Sequence, residues 1–101
     1  SPAQTREIRE AVFARAGSGC EGCFVYFPVA LDHFFGRGKE PQTEASCWAL
    51  CERCNHFKTV NDPSATHWLR LFITHCEKHG YVAEAEKAAA KLEVLRAKGR
   101  A

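Results

Sequence analysis

The chain has 101 residues, a formal net charge of +2 and six cysteines. This length allows one domain with a modest core, which a bound metal ion or cross-links would help to stabilise. No apolar run approaches the roughly 20 residues of a membrane span, and no basic start followed by an apolar stretch marks a leader peptide. We therefore expect a soluble intracellular protein without a membrane partner. Because the chain begins at Ser1 rather than at methionine, N-terminal processing stays open. The small charge gives no argument by itself for a nucleic-acid partner.

The first half of the chain predicts a helix followed by β structure. Residues 3–16 have apolar positions at helical spacing, and Gly17 is a suitable C-terminal cap. Residues 20–35 are rich in Val, Tyr and Phe, which is typical of β structure, while Pro28 requires an edge or a bulge. A polar loop follows over residues 36–46. The apolar positions of the first helix are Ile8, Val12 and Phe13.

The second half predicts a short strand and then helices. Residues 47–50 are predicted to form the strand and residues 51–60 a short helix. Asp62 and Pro63 match the N-cap and first position of a longer helix, which Gly80 ends. Its apolar stripe is predicted to pack in the core: Trp68, Leu69, Phe72, Ile73 and Cys76.

The last predicted helix spans residues 81–98 and is closed by Gly99. We expect His75 and His79 of the preceding helix to be exposed. No linker interrupts the chain, so we predict a single α+β domain over residues 1–101. The predicted inner face of the last helix comprises Val82, Ala85, Ala89, Leu92 and Leu95.

Two Cys-x-x-Cys pairs, Cys20 with Cys23 and Cys51 with Cys54, predict a structural metal site. Two residues between thiolates let one turn of backbone present both sulfurs to a single ion, and four such ligands suit tetrahedral Zn²⁺. Two disulfides are disfavoured without secretory signs, and a thioredoxin-like redox pair lacks a βαβ pattern. The other two cysteines are expected to be buried free thiols: Cys47 and Cys76.

Polar residues capable of catalysis lie close to both cysteine pairs. Asp32 and His33 come after the first pair, and Asn55 and His56 directly follow the second. Lys58 is three residues after Asn55, on the same face of the predicted helix. A zinc ion bound by both pairs would draw a carboxylate, an imidazole and a carboxamide towards one place. The alternative is that Asp32 and His33 are satisfied polar groups at the edge of the core.

At these motifs, residues 6–59 resemble the HNH endonucleases, which have a ββα-metal fold. The matching stretches are R…AVFARAGSGCEGC, LDHFFGRG and LCERCNHFKT. The resemblance implies a zinc-stapled ββα core over residues 20–61. An N-terminal helix (3–16) would precede this core, and a C-terminal helical extension (62–99) would follow it.

The resemblance also implies the roles of the polar residues. Asp32 and Asn55 would bind the catalytic divalent ion, Mg²⁺ or Mn²⁺, with His56 a less favoured ligand. His33 would be the general base that hydrolyses DNA phosphodiester bonds, by nicking or double-strand cutting. The products would carry 5′-phosphate and 3′-hydroxyl ends. Such an enzyme would be cytoplasmic in a prokaryote or in a phage-infected host.

One position departs from the family pattern. The central Asn of the family lies nine residues before the helix ligand, where this chain has Ser46. That Asn braces the loop that aims the histidine, and serine does so only over a shorter reach. Gln42 is the one carboxamide of the loop that can substitute. The departure supports an alternative function, a zinc-ribbon module that binds nucleic acid with weak or no catalysis.

Three basic residues are candidates for contacts with DNA phosphates: Lys58, Arg37 and Lys39. Solvation alone is the competing interpretation for each of them, most of all for the two loop residues. The C-terminal helices offer a surface for a homodimer or for a larger protein partner.

Overall fold

The computed structural model describes residues 2–36, 41–60 and 65–99. It contains four helices and one two-stranded antiparallel sheet, which confirms the α+β class. The chain divides into two compact units, Ser1–Asn55 and His56–Ala101, and the single domain over 1–101 stays a prediction. None of the described helices is long and apolar enough to cross a membrane. The elements are α1 (Pro2–Ala16), β1 (Ala30–His33), β2 (Cys47–Leu50), α2 (Glu52–Val60), α3 (Ala65–His79) and α4 (Val82–Ala97).

Helix α1 packs on the sheet through its apolar stripe, as predicted. Ile8 and Val12 are buried in one cluster with Cys47 and Ala49 of β2. The helix ends at Gly17, whose φ of +65° is the left-handed conformation that glycine adopts readily. Its amide donates to the carbonyl of Phe13 at 3.1 Å, an i→i−4 bond at the helix end.

Strand β2 is the centre of the first unit, and all four of its residues are buried. On one edge it pairs with β1, with Asp32 opposite Trp48 and His33 opposite Cys47. On its other edge the amide of Glu21 donates to the carbonyl of Ala49 at 2.8 Å. The Glu21 carboxylate accepts from the Ala49 amide at 3.0 Å. Glu21 thus serves the second edge much as a neighbouring strand would.

A buried ion pair joins α1 to this edge. The Arg15 guanidinium donates to both carboxylate oxygens of Glu21, at 2.8 and 2.7 Å. The two side chains are only 9% and 4% exposed. Arg15 also donates to the carbonyls of Glu44 and Cys47, at 2.8 and 2.9 Å. Because Arg has five N–H donors in a planar fork, one side chain can connect a helix, a turn and a strand.

The β structure predicted over 20–35 is largely wrong, because β1 contains only Ala30–His33. Residues 20–26 form a tight turn in which the amide of Phe24 donates to the carbonyl of Cys20 at 2.8 Å. The φ of Phe24 is +63°, which a strand does not allow. The side chains of residues 24–27 are 50–73% exposed. Strand propensity reflects packing on a pleated surface, and this turn offers none.

In the second unit, α3 and α4 pack against each other. The α3 stripe is confirmed, with Ile73 half-buried and its other four members buried. The inner face predicted for α4 is only partly right, since Leu92 is buried but Val82 is 65% exposed and Ala88 takes an inner position. An alanine-rich helix differs little in hydrophobicity from face to face, so periodicity selects its inner face poorly.

Two other predictions in the second unit have different outcomes. His75 and His79 were both expected to be exposed, but His75 is buried and His79 is half-buried. The His75 ring centroid lies 5.7 Å from that of Phe72 and 4.8 Å from that of His79. His75 is buried because it lies on the apolar face of α3, although its imidazole is polar. Asp62 and Pro63, predicted to open the helix, lie outside the described residues.

Candidate functional site

The four cysteines of the two pairs converge in the first unit. Their sulfur atoms lie within 4.8 Å of one another, and the sulfurs of Cys23 and Cys51 are 3.9 Å apart. A tetrahedron with metal–sulfur bonds of about 2.3 Å has edges of about 3.8 Å. All six cysteines are free thiols, with Cys47 and Cys76 buried as predicted. The cluster of Cys20, Cys23, Cys51 and Cys54 can therefore hold a metal ion such as Zn²⁺.

Backbone amides surround the sulfur cluster and donate to its sulfurs. Such N–H···S bonds stabilise thiolates, as hydrogen bonds to a charged form do in general. The turn after Cys20 and the first turn of α2 supply the donors. The bonds are Gly22 and Cys23 to Cys20 (3.3 and 3.5 Å), Val25 to Cys23 (3.5 Å) and Cys54 to Cys51 (3.3 Å).

The thiols of the cluster differ in acidity. Burial raises the pKa of Cys23, but hydrogen bonds with the backbone at Tyr26 and Val25 and with the side chains of Cys20 and Cys54 together outweigh it and bring the value to about 7. Burial raises the pKa of Cys51 and, together with the neighbouring Cys51 sulfur, that of Cys54. Four thiolates repel one another at this spacing, and a dication is the charge that compensates them.

An open cleft of about 400 Å³ adjoins β1 and is lined by Asp32, His33 and Asn55. Asp32 and His33 are sequence neighbours, which point to opposite faces of a regular strand. Here β1 ends at His33, whose carbonyl accepts from the Gly36 amide at 2.9 Å in a turn. The φ of +90° at Gly36 belongs to the left-handed region. Both residues border the cleft, while their side chains contact different residues of β2, Trp48 for Asp32 and Cys47 for His33.

Helix α2 brings Asn55 to the cleft. Asn55 directly follows Cys54, and its amide donates to the carbonyl of Cys51 at 3.0 Å in the first turn of the helix. His56, the less favoured ligand, is exposed on α2, with its ring centroid 5.8 Å from that of Phe57. Lys58 is half-buried further along the same helix. The loop candidates for DNA contact lie outside the described residues: Arg37 and Lys39.

The Asp32 carboxylate is oriented by a residue that the sequence did not single out. The indole N–H of Trp48 donates to Oδ2 of Asp32 at 2.8 Å. The two residues face each other across the sheet, and Trp48 is fully buried. Because the indole is held in the core, it keeps the Asp32 carboxylate in one orientation.

The His33 imidazole contacts two side chains through Nδ1. One is the amide oxygen of Gln42, and the other is the sulfur of Cys47, at 3.3 Å. Burial raises the pKa of the Cys47 thiol, so Cys47 stays protonated at neutral pH and is unsuited to act as a nucleophile. The chemistry that this arrangement favours is proton transfer at the imidazole.

Ser46 closes the loop just before β2. Its hydroxyl accepts from the Thr43 amide at 3.0 Å, and its amide donates to the Thr43 hydroxyl at 3.1 Å. Its carbonyl accepts from the Phe34 amide at 3.1 Å, one residue after His33. Ser46 thus joins the end of the loop to the end of β1.

No protein-family model, curated protein or solved structure matches the chain. Membership of the HNH family stays a prediction from the motifs.

Proposed function

We propose that the protein is an HNH-type endonuclease that hydrolyses DNA phosphodiester bonds. The observation that carries the proposal is the cleft lined by Asp32, His33 and Asn55. A carboxylate, an imidazole and a carboxamide there supply two oxygen donors for a hard cation and one proton acceptor. In this proposal β1, β2 and α2 are the ββα-metal core.

His33 acts on the attacking water. Its imidazole takes a proton as the water oxygen forms a bond to phosphorus, while the bond from phosphorus to the 3′ oxygen breaks. The leaving oxygen gains a proton from solvent, which gives 5′-phosphate and 3′-hydroxyl ends. A histidine suits this step because its ordinary pKa, about 6.5, lies near neutral pH.

Asp32 and Asn55 would hold Mg²⁺ or Mn²⁺ through their side-chain oxygens. Such a cation, when bound, neutralises charge on the phosphate and on the leaving oxygen. The oxygen donors fit a hard cation, and two protein ligands leave positions for water and phosphate. The Trp48 indole keeps the Asp32 carboxylate oriented.

A structural zinc at the four cysteines would keep the two halves of the site together. Cys20 and Cys23 precede β1, and Cys51 and Cys54 begin α2, so one ion would connect both elements. Lys58, Arg37 and Lys39 are the basic residues proposed to contact DNA phosphates.

A second candidate is a zinc-ribbon module that binds nucleic acid without cutting it. Ser46 in place of the family's central Asn supports it. Exposed aromatic side chains beside the sulfur cluster also support it, because nucleobases stack on such side chains. These residues are Phe24, Tyr26 and Phe27, which are 60%, 50% and 69% exposed.

Incubation with supercoiled plasmid DNA separates the two candidates. With zinc-loaded protein and added Mg²⁺ or Mn²⁺, the nuclease yields nicked or linear plasmid whose new ends carry 5′-phosphate. The binding module retards DNA in a gel and leaves the plasmid supercoiled under the same conditions. Intact plasmid with both metals would overturn the nuclease proposal.

A further inference from the structure

We propose that Gln42 is the positioning residue that selects the tautomer of His33. In this assignment Ser46 holds the loop, while Gln42 contacts the imidazole itself. The catalytic consequence of this inference rests on the proposed nuclease function, whereas the tautomer of His33 is a property of the protein alone.

The contact at Nδ1 decides which ring nitrogen carries the proton. The Gln42 atom that meets Nδ1 is the amide oxygen, which only accepts hydrogen bonds. Nδ1 of a neutral His33 must therefore carry the proton, and the lone pair lies on Nε2. His33 borders the cleft, and Nε2 is the ring nitrogen that this tautomer leaves able to take a proton.

Cys47 supports this orientation of the Gln42 amide. Its sulfur lies 3.7 Å from the amide oxygen of Gln42, with the thiol as donor. Because the buried thiol stays protonated, one oxygen receives both an N–H and an S–H group. With the amide reversed, its NH₂ group would face the protonated Cys47 thiol, from which it cannot accept a hydrogen bond. Nδ1 would then have to accept, and the proton would move to Nε2.

The remaining contacts hold Gln42 in place. Its amide nitrogen donates to the carbonyl of Gly36 at 3.5 Å, at the end of the turn after β1. Thr43, the next residue, is fixed by its hydrogen bonds with Ser46. The amide therefore lies between two turns that are anchored to β1 and β2, and this explains how a residue outside both strands can aim the imidazole.

The test is the ¹⁵N NMR spectrum of the His33 imidazole in the full-length, zinc-loaded protein, at a pH where the ring is neutral. The wild type is expected to show protonated Nδ1 and unprotonated Nε2. Gln42→Ala should shift the ring towards the Nε2-protonated form, and Gln42→Glu should restore the wild-type pattern because its carboxylate also accepts. The control Gln4→Ala, a helix-surface substitution, should keep Nδ1 protonated.

Two results would overturn the inference: a wild-type ring protonated on Nε2, or an unchanged tautomer in Gln42→Ala. A folded spectrum in every variant shows that the change is local to the ring.

Cleavage links the tautomer to catalysis. We expect Gln42→Ala to lower the plasmid cleavage rate by about 10- to 100-fold, which is less than the 100- to 10,000-fold that a general base itself contributes. Gln42→Glu should recover most of the rate. If the wild type cuts no DNA, the proposed function fails, and the spectrum still decides on Gln42. A normal rate in Gln42→Ala with an altered tautomer would overturn the catalytic role.

Discussion

At the scale of single residues, the sequence pattern identifies Asp32, His33 and Asn55 but not the groups that orient them. An acidic side chain and an imidazole are unusual in an apolar run, so these residues can be chosen as candidates from the sequence alone. Trp48 becomes the partner of Asp32 only through the register of β1 on β2. A pattern of alternating residues does not set that register across a polar loop. The sequence offered Gln42 as a substitute for the family's Asn, but not its contact with the imidazole.

The Trp48 indole has a testable effect on the proposed cation site. Trp48→Phe keeps a large buried ring but removes the N–H that donates to Asp32. Outer-shell hydrogen bonds to metal ligands typically contribute about 10- to 100-fold in affinity. We expect the Mg²⁺ concentration for half-maximal plasmid cleavage to rise by about 10-fold or more.

The matched control is Trp68→Phe, which alters a buried indole of α3. It should leave the Mg²⁺ requirement unchanged, and melting curves report any loss of fold in either variant. Equal Mg²⁺ requirements in wild type and Trp48→Phe would contradict the orienting role of the indole.

At the scale of elements, sequence patterns located α1, β2 and α2 to within a residue or two. These predictions are right because the apolar positions and the end signals of each element indicate the same boundaries. The prediction for residues 20–29 is wrong because this segment forms a turn that brings Cys20 and Cys23 into the sulfur cluster, whatever its strand propensity. The pairing of Glu21 with Ala49 and Arg15 was also missed, since a Glu inside a Cys-x-x-Cys pair has no sequence signal for burial.

The Arg15–Glu21 pair predicts a large loss of stability on neutralising Glu21. Glu21→Gln keeps the shape but leaves the Arg15 charge buried without an anion, which costs about 3 kcal/mol or more. Urea unfolding measures the change in the free energy of unfolding.

Glu93→Gln is the control for Glu21→Gln. It breaks an exposed i,i+3 pair with Arg96, and we expect a loss below about 1 kcal/mol. Equal losses in the two variants would show that the buried Arg15–Glu21 pair contributes no more to the free energy of unfolding than the exposed pair does.

At the scale of the whole molecule, zinc is the expected staple of the first unit. A chain of 101 residues has a limited core, and the four-cysteine cluster joins its turn, strand and helix ends. Cysteine spacing alone predicted this cluster, because ligand spacing is a local property. The cleft also depends on the turn at Gly36 and on the register of β1 on β2, which no local pattern specifies.

Elemental analysis tests the staple. The reduced wild type should contain about one zinc per chain, and Cys54→Ser should lose most of it. Cys76→Ser alters a buried thiol of α3 outside the cluster and should keep its zinc. A wild type without zinc, or a full zinc content in Cys54→Ser, would contradict the four-cysteine site.

The most direct test of the nuclease proposal compares the plasmid cleavage rates of wild type, His33→Ala and His67→Ala with Mg²⁺. His67 is an exposed histidine of α3, so its variant controls for the loss of an imidazole. The proposal predicts that His33→Ala slows cleavage by about 100-fold or more, as expected for loss of a general base. His67→Ala should cut at the wild-type rate. Cleavage by His33→Ala at the wild-type rate would contradict the assignment of His33 as the base.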